Sequence, residues 1–197
     1  MTWFFPLKNY QHQIPQDEHP GAFGAVRKFD VHTGVDLYCP EGTPIFAVED
    51  GRVITIEIFT GPRAESPWWY ETLAILVEGE SGVVCYGEVE NKWIPKLTDR
   101  QGKRYGMTSN RIKSYQKQNP DQVGAPYLVE GDIVNRGDLL TWSKQVLKKD
   151  KGKPMCMLHF ELYQHGTDET VWWKRDEPKP ENLLDPTLKL IATLNHI

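Results

Sequence analysis

Residues 157–163 read Met-Leu-His-Phe-Glu-Leu-Tyr, with a large apolar residue at every second position. Successive side chains of a β-strand point to opposite faces, so this stretch predicts a strand with one fully apolar face. The other face carries Met157, His159, Glu161 and Tyr163. A histidine between two bulky apolar neighbours is committed to one side of the sheet and is a candidate metal ligand, although an isolated histidine of this kind is more commonly structural.

Strand signals dominate the rest of the chain. Short apolar and β-branched runs predict strands over residues 44–59 (two runs), 73–78, 83–86, 127–129 and 139–142. The turns at residues 49–51 and 79–82 predict hairpins. Helix signals are few: short helices are expected over Trp142–Lys149 and Thr187–Asn195, the second with Asp185 as its N-cap. The fold class is therefore mostly β, with an antiparallel sheet or sandwich and few short helices.

A second candidate site lies in His32-Thr33-Gly34-Val35-Asp36. Thr, Gly and Val disfavour a helix, so the segment is predicted to be extended, with residues 32 and 36 on one face. An imidazole nitrogen and a carboxylate oxygen side by side are ligands that zinc accepts. Taken alone, the pair is more typical of a surface turn.

Four segments, in order, resemble the lysostaphin-like, LytM-type zinc metallopeptidases. Residues 32–53, HTGVDLYCPEGTPIFAVEDGRV, are similar to the first family motif, in which a His and an Asp four apart precede Gly-Thr-Pro and Ala-x-x-x-Gly-x-Val. Residues 131–140, GDIVNRGDLL, resemble the connecting motif, residues 158–162, LHFEL, the closing motif, and residues 182–188 the segment after the last strand. The resemblance implies a sheet of the duplicated hybrid motif type.

The resemblance also implies a site. It carries the metal ligands to His32, Asp36 and His159, with one zinc ion and an open coordination position, which is the arrangement of catalytic zinc. The implied reaction is hydrolysis of a peptide or peptidoglycan-like bond by a metal-activated water.

The two catalytic histidines of the family are absent. The closing motif begins with Met157 where the family has a histidine that polarises the scissile carbonyl. The other family histidine follows a Tyr-Gly or Tyr-Ala pair, whereas here Tyr86-Gly87 is followed by Glu88. Either Glu88 replaces the lost base, or it binds the metal as a fourth ligand and closes the site.

Neighbouring residues are assigned supporting roles. Glu161, on the face of His159, is expected to orient a ligand imidazole, or else to point to solvent. Oxyanion stabilisation is expected from the zinc ion itself or from a neighbour such as Tyr86 or Tyr38. The chain is therefore either an altered zinc metallopeptidase or an inactive pseudo-peptidase that acts as a binding module.

Composition limits the class of protein. The chain has 197 residues, 39% hydrophobic and 25% charged, with a net charge of −4, as in an ordinary soluble globular protein. Three cysteines without a C-x-x-C pair, no apparent signal peptide and no long apolar run favour a cytoplasmic protein with no membrane span. The cysteines are expected to be small buried hydrophobes.

The division into regions follows from the resemblance. Residues 1–22 are predicted to be an N-terminal extension, residues 23–190 the peptidase-like domain and residues 191–197 a tail. A basic insertion at residues 92–120 interrupts the domain, because Lys92–Lys117 holds eight Lys or Arg and a single Asp. It is either a solvated loop, with a helix starting near Ser109, or a surface for a polyanion or glycan.

Overall fold

The computed structural model describes residues 3–90, 97–98, 104–105, 128–150, 152 and 154–195. The strands are β1 (Val35–Tyr38), β2 (Pro44–Phe46), β3 (Gly51–Thr60), β4 (Thr72–Gly79), β5 (Gly82–Val89), β6 (Leu97–Thr98), β7 (Arg104–Tyr105), β8 (Ile133–Val134), β9 (Leu139–Trp142), β10 (Met157–Tyr163) and β11 (Leu183–Leu184). A short 3-10 helix covers Pro62–Ala64, and an α-helix, α1, covers Thr187–Leu194.

One large sheet organises the molecule. Its strand order is β1-β10-β5-β4-β3-β6-β7, with β11 paired to β10 and β8 paired to β3. All of these pairs are antiparallel except that of β3 with β6. A separate two-stranded sheet joins β2 to β9. The predicted class, mostly antiparallel β with little helix, is confirmed.

Alternation along the central strands gives the sheet two different faces. Leu37 of β1, Tyr86 of β5, and Leu158 and Phe160 of β10 lie in the main apolar core. The opposite face of the same strands bears a smaller cluster of six buried residues, among them Cys85 and Tyr163. The strand prediction for residues 157–163 is therefore confirmed over its full length, with all seven residues buried.

The hairpin predictions have different outcomes. β4 and β5 form the expected hairpin around Glu80-Ser81, with Gly79 opposite Gly82. The hairpin predicted around residues 49–51 is wrong, because β2 pairs with β9 and β3 pairs with β4. The Glu49 carboxylate instead accepts hydrogen bonds from the Ser81 backbone at 3.0 Å and from the Trp3 indole at 3.2 Å, which ties this segment to other parts of the chain.

Tertiary pairing also overrides a helix prediction. Residues 142–149 do not form a helix: Ser143, Gln145 and Leu147 make isolated bridges to Val89, Cys156 and Trp69. The other predicted helix is present as α1. Pro186 occupies its N-cap position, while the Asp185 side chain accepts a hydrogen bond from the Thr187 N–H at 2.8 Å.

The chain outside the sheet adds to the core. Trp3, Phe5, Leu7 and Ile14 are buried in the main cluster, so the segment predicted as an N-terminal extension packs with the domain. Most of the predicted basic insertion and its helix, and Tyr127 of a predicted strand, lie outside the described residues; Leu128 and Val129 are not in a strand. Among the described residues, no helix has the length and hydropathy that a bilayer span requires.

Candidate metal centre

Strands β1 and β10 carry two of the predicted ligands. They are antiparallel neighbours, and their register places Asp36 directly opposite His159. His32 precedes β1, and its backbone N–H donates to the Ala25 carbonyl at 2.9 Å. Gly34 permits the close approach of this segment, because a Cβ there would stand 2.6 Å from the Phe160 carbonyl oxygen and 3.0 Å from His159 Nε2.

Three candidate ligand atoms form a nearly equilateral triangle. His32 Nε2 lies 3.1 Å from Asp36 Oδ1 and 3.1 Å from His159 Nδ1, and the last two atoms are 3.0 Å apart. Ligands about 2.0–2.1 Å from a tetrahedral zinc ion are separated by about 3.3–3.4 Å, so the triangle matches one face of such a site after a shift of a few tenths of an ångström. The structure therefore brings together residues that are up to 127 positions apart.

Hydrogen bonds orient both imidazoles from behind. His32 Nδ1 contacts the Ala22 carbonyl oxygen at 2.8 Å, and an N–H donated there leaves the lone pair on Nε2. His159 Nε2 contacts Glu161 Oε1 at 3.0 Å, and the Tyr163 hydroxyl donates to Glu161 Oε2 at 2.7 Å. Glu161 is fully buried and contacts the nitrogen of His159 that faces away from the triangle.

Arg27 is a site residue that the sequence analysis missed. Its Nη2 donates to Asp36 Oδ2 at 3.3 Å and to the Pro20 carbonyl oxygen at 3.3 Å. This contact leaves Oδ1, the other oxygen, facing the two histidines. No local pattern marks Arg27, because the loop fold that turns its side chain toward Asp36 depends on tertiary contacts.

Burial and mutual charge shift the pKa values of all three residues of the triangle. Burial lowers the pKa of His32, so this imidazole is neutral at pH 7, the form that binds metals. Burial also acts to lower the pKa of His159, but the Glu161 and Asp36 carboxylates outweigh it and raise that pKa to about 10. Burial acts to raise the pKa of Asp36, but His32 and His159 hold it well below its usual value. Nδ1 of His159 must therefore give up a proton before it can act as a ligand.

Glu88 stands at a bulge in β5. Ile75 of β4 pairs with Tyr86, whereas Leu73 pairs with Val89, so β5 contains one extra residue at this point. Tyr86 and Val89 both lie in the core, which leaves Gly87 and Glu88 outside it. Glu88 has a φ of 61°, a left-handed backbone that costs a non-glycine residue about 1–2 kcal/mol. The bulge thus turns an acidic side chain out of the strict alternation of the strand.

The Glu88 carboxylate is buried and incompletely paired. Glu88 is only 9% exposed, and among the described residues its Oε2 has no hydrogen-bond partner. Burial and, next, the Asp36 carboxylate raise the pKa of Glu88 to about 8. An uncompensated buried oxygen next to a histidine–aspartate cluster is the environment of a group that handles a proton or binds a cation.

The predicted tyrosines lie on opposite faces. Tyr86 is wrongly predicted as a neighbour of the metal: its hydroxyl accepts the Val48 N–H at 2.9 Å in the core, and its ring packs edge-on against Phe160. Side chains alternate between the two faces of β5 up to the bulge at Glu88, and this alternation directs Tyr86 into the core. Tyr38 shares the face of Asp36, and burial and the Asp36 charge raise its pKa to about 12. Met157, at the lost histidine position, pairs with Tyr38 in the register.

The donor set fits a divalent metal. It comprises two imidazole nitrogens, whose other nitrogens are engaged in hydrogen bonds, and one carboxylate oxygen. Nitrogen and oxygen donors at this spacing suit zinc.

Comparison with solved structures returns peptidases. The chain is similar to a zinc-containing peptidase from Vibrio cholerae, with 15% identity and a TM-score of 0.48, over 95% of this chain and 40% of that one. It is also similar to a protein from Pseudomonas aeruginosa described as a candidate M23 peptidase, with 15% identity and a TM-score of 0.44, over 96% of this chain and 50% of that one. Both proteins are described as peptidases.

The similarity has clear bounds. The chain spans half or less of the length of these two proteins. No family model and no curated protein matches it. At these identities and TM-scores, the neighbours do not indicate an activity or a substrate for this chain, and the residues of the site must do so.

Proposed function

We propose that this chain is a metallopeptidase-type hydrolase that holds one zinc ion through His32, Asp36 and His159 and uses Glu88 as its general base. The observation that carries the proposal is the triangle of ligand atoms, with edges of 3.0–3.1 Å and both histidines oriented from behind. All three side chains are buried, unlike those of a His–Asp pair in a surface turn.

Glu88 and Glu161 have different roles in the proposed reaction. A bound zinc ion supplies Lewis acidity, which polarises a carbonyl and makes water more acidic. Glu88 takes up the proton of the attacking water and returns it to the leaving amine, a role for which a carboxyl pKa near neutrality is suited. Its burial and its Oε2, which has no hydrogen-bond partner among the described residues, support this role. Glu161 keeps the His159 ring in place.

The substrate class comes from the motif resemblance. It is a peptide bond, with peptidoglycan-type or glycine-rich peptides as the first candidates. Met157 cannot polarise a carbonyl, and Tyr86 is in the core, so Tyr38 is the remaining predicted residue for oxyanion stabilisation. Loss of one oxyanion donor costs about 10²–10³ in rate, so we expect turnover to be slow.

The alternative is an inactive pseudo-peptidase in which Glu88 closes the site. One observation favours it: the unpartnered Oε2 is as well suited to bind a cation as to accept a proton. In that arrangement the metal is structural, and the protein acts by binding a peptide, a glycan or another protein.

Zinc content and hydrolysis, measured together, separate the two functions. Zinc is measured by elemental mass spectrometry, and cleavage is followed on glycine-rich peptides and on peptidoglycan fragments, for wild type, Glu88→Gln, Glu88→Ala and His159→Ala. The proposal expects zinc in wild type and in both Glu88 variants, none in His159→Ala, and a rate at least ~10²-fold lower in Glu88→Gln.

The other outcomes are equally informative. Loss of zinc from Glu88→Ala, with no cleavage by wild type, identifies Glu88 as a ligand and supports the pseudo-peptidase. Unchanged turnover in Glu88→Gln contradicts the role of base. Glu65→Gln is the matched control, because Glu65 has the same left-handed backbone, with a φ of 59°, but is exposed.

A further inference from the structure

Two cysteines far apart in sequence meet at the ends of the site strands. Tyr38 pairs with Met157, and the next pair along the same register is Cys39 with Cys156. The Cys39 N–H donates to the Cys156 carbonyl oxygen at 3.4 Å, and the two thiols are hydrogen-bonded to each other. Both cysteines are free thiols. Cys156 is buried, as expected, whereas Cys39 is only partly buried.

The spacing of antiparallel strands suits a disulfide between facing residues. Residues directly opposite each other in an antiparallel pair have Cα atoms about 4.5–5.5 Å apart. Disulfides span Cα separations of about 4.4–6.8 Å. Because the side chains of one cross-strand pair lie on the same face, a bond between the two sulfurs requires rotation of the side chains and no movement of the strands.

The two thiols are not equivalent. Cys39 is partly exposed, whereas Cys156 is 7% exposed. The hydrogen bond with Cys156 lowers the pKa of Cys39 to about 7, and the same hydrogen bond raises the pKa of Cys156. Cys39 is therefore the accessible and more acidic partner, and Cys156 is the protonated partner beside it. The thiolate is the reactive form of cysteine.

We propose that Cys39 and Cys156 form an oxidation-sensitive dithiol that hydrogen peroxide converts into an intramolecular disulfide. The Cys39 thiolate attacks one peroxide oxygen, the O–O bond breaks, and with one proton taken up the products are a sulfenic acid and water. The Cys156 sulfur then attacks the Cys39 sulfur, the S–O bond breaks, and the hydroxyl leaves as a second water with the Cys156 proton. Two thiols lose two electrons in total, and one peroxide is reduced to two waters.

The cross-link would connect the two strands that hold Asp36 and His159. Each cysteine is three positions from one of these residues, on the opposite face of its strand. The dithiol does not depend on the proposed hydrolase function, because neither sulfur is part of the ligand triangle.

Cys85 provides an internal control in the same molecule. It is fully buried, and burial and then the Glu161 carboxylate raise its pKa well above the usual value. In the reduced protein at pH 7 we expect iodoacetamide to alkylate Cys39 at least ~10-fold faster than Cys85.

The test is a thiol map of the purified full chain. Reduced wild type is treated with one equivalent of hydrogen peroxide, quenched with N-ethylmaleimide and digested. We expect a linked peptide pair containing Cys39 and Cys156, an intact mass lower by two hydrogens, and Cys85 in its alkylated form. In Cys156→Ser the sulfenic acid on Cys39 has no partner, so dimedone should label Cys39.

Three results would overturn the proposal. The first is equal alkylation of all three cysteines without a linked peptide. The second is a cross-linked dimer in place of an intramolecular bond, and the third is oxidation of Cys85 first. The wild-type experiment decides these outcomes even if Cys156→Ser does not fold.

Discussion

The two faces of strands β1, β10 and β5 differ in what they contribute to the protein. The core face carries Leu37, Leu158, Phe160 and Tyr86, all at most 1% exposed. The site face carries Asp36, His159 and Glu161, which are also buried but are joined by hydrogen bonds and charge. Adjacent residues of one strand therefore serve stability and chemistry separately, and a register slip of one residue would exchange the two sets.

Substitutions at neighbouring positions of β10 should separate the loss of stability from the loss of zinc binding most clearly. Phe160→Ala leaves a cavity in the core and should lower the free energy of unfolding by ~3–5 kcal/mol, measured by urea denaturation of the metal-free protein. At temperatures where it remains folded, the variant should bind zinc nearly as well as wild type. His159→Ala should do the reverse. It should weaken zinc binding by ~10³-fold, about a third of the typical binding free energy of such sites. Equal loss of both properties in both variants would contradict the separation of faces.

Glu161 tests whether the site face depends on its buried hydrogen bonds. Glu161→Gln removes the charge behind His159 and should weaken zinc binding by ~10-fold, as measured by competition with a chromophoric chelator. Tyr86→Phe is the matched control on the core face. It leaves the Val48 N–H unpaired and should cost ~1 kcal/mol of stability without a change in zinc affinity. Unchanged affinity in Glu161→Gln would mean that the carboxylate only fills space.

The remaining prediction concerns Glu88 and pH. Its pKa is raised to about 8 in the folded, metal-free protein against 4.5 when unperturbed. The folded state then binds more protons than the unfolded state between these values, so the stability that Glu88 contributes is fully present below pH 4.5 and is lost as the pH rises toward 8.

Glu88→Gln cannot ionise, so it should gain stability relative to wild type as the pH rises through that interval, by up to ~4 kcal/mol near pH 8. Urea denaturation of the metal-stripped proteins at several pH values measures the difference. Glu65→Gln, at an exposed position with the same left-handed backbone, is the control. A difference between Glu88→Gln and wild type that does not change with pH would show that the Glu88 carboxyl is not perturbed.

Periodicity and motif order were sufficient for a large part of the fold. The alternation at 157–163, the hairpin of β4 and β5, and the helix after Pro186 are all local patterns whose turn residues and spacing lie within a short stretch. Residues 142–149 and 49–51 were predicted wrongly, because distant segments supply their hydrogen bonds. A local window does not contain those partners.

What the sequence by itself determined is the composition of the site: His32, Asp36 and His159 as a donor set, Glu161 behind one histidine, and Met157 and Glu88 where the family has histidines. Only the tertiary structure decided the arrangement around it. The bulge in β5 turns Glu88 away from the core, Arg27 reaches Asp36, Tyr86 enters the core, and Cys39 meets Cys156. These outcomes depend on register and on close approach of chain segments, which residue identities specify only through the complete packed fold.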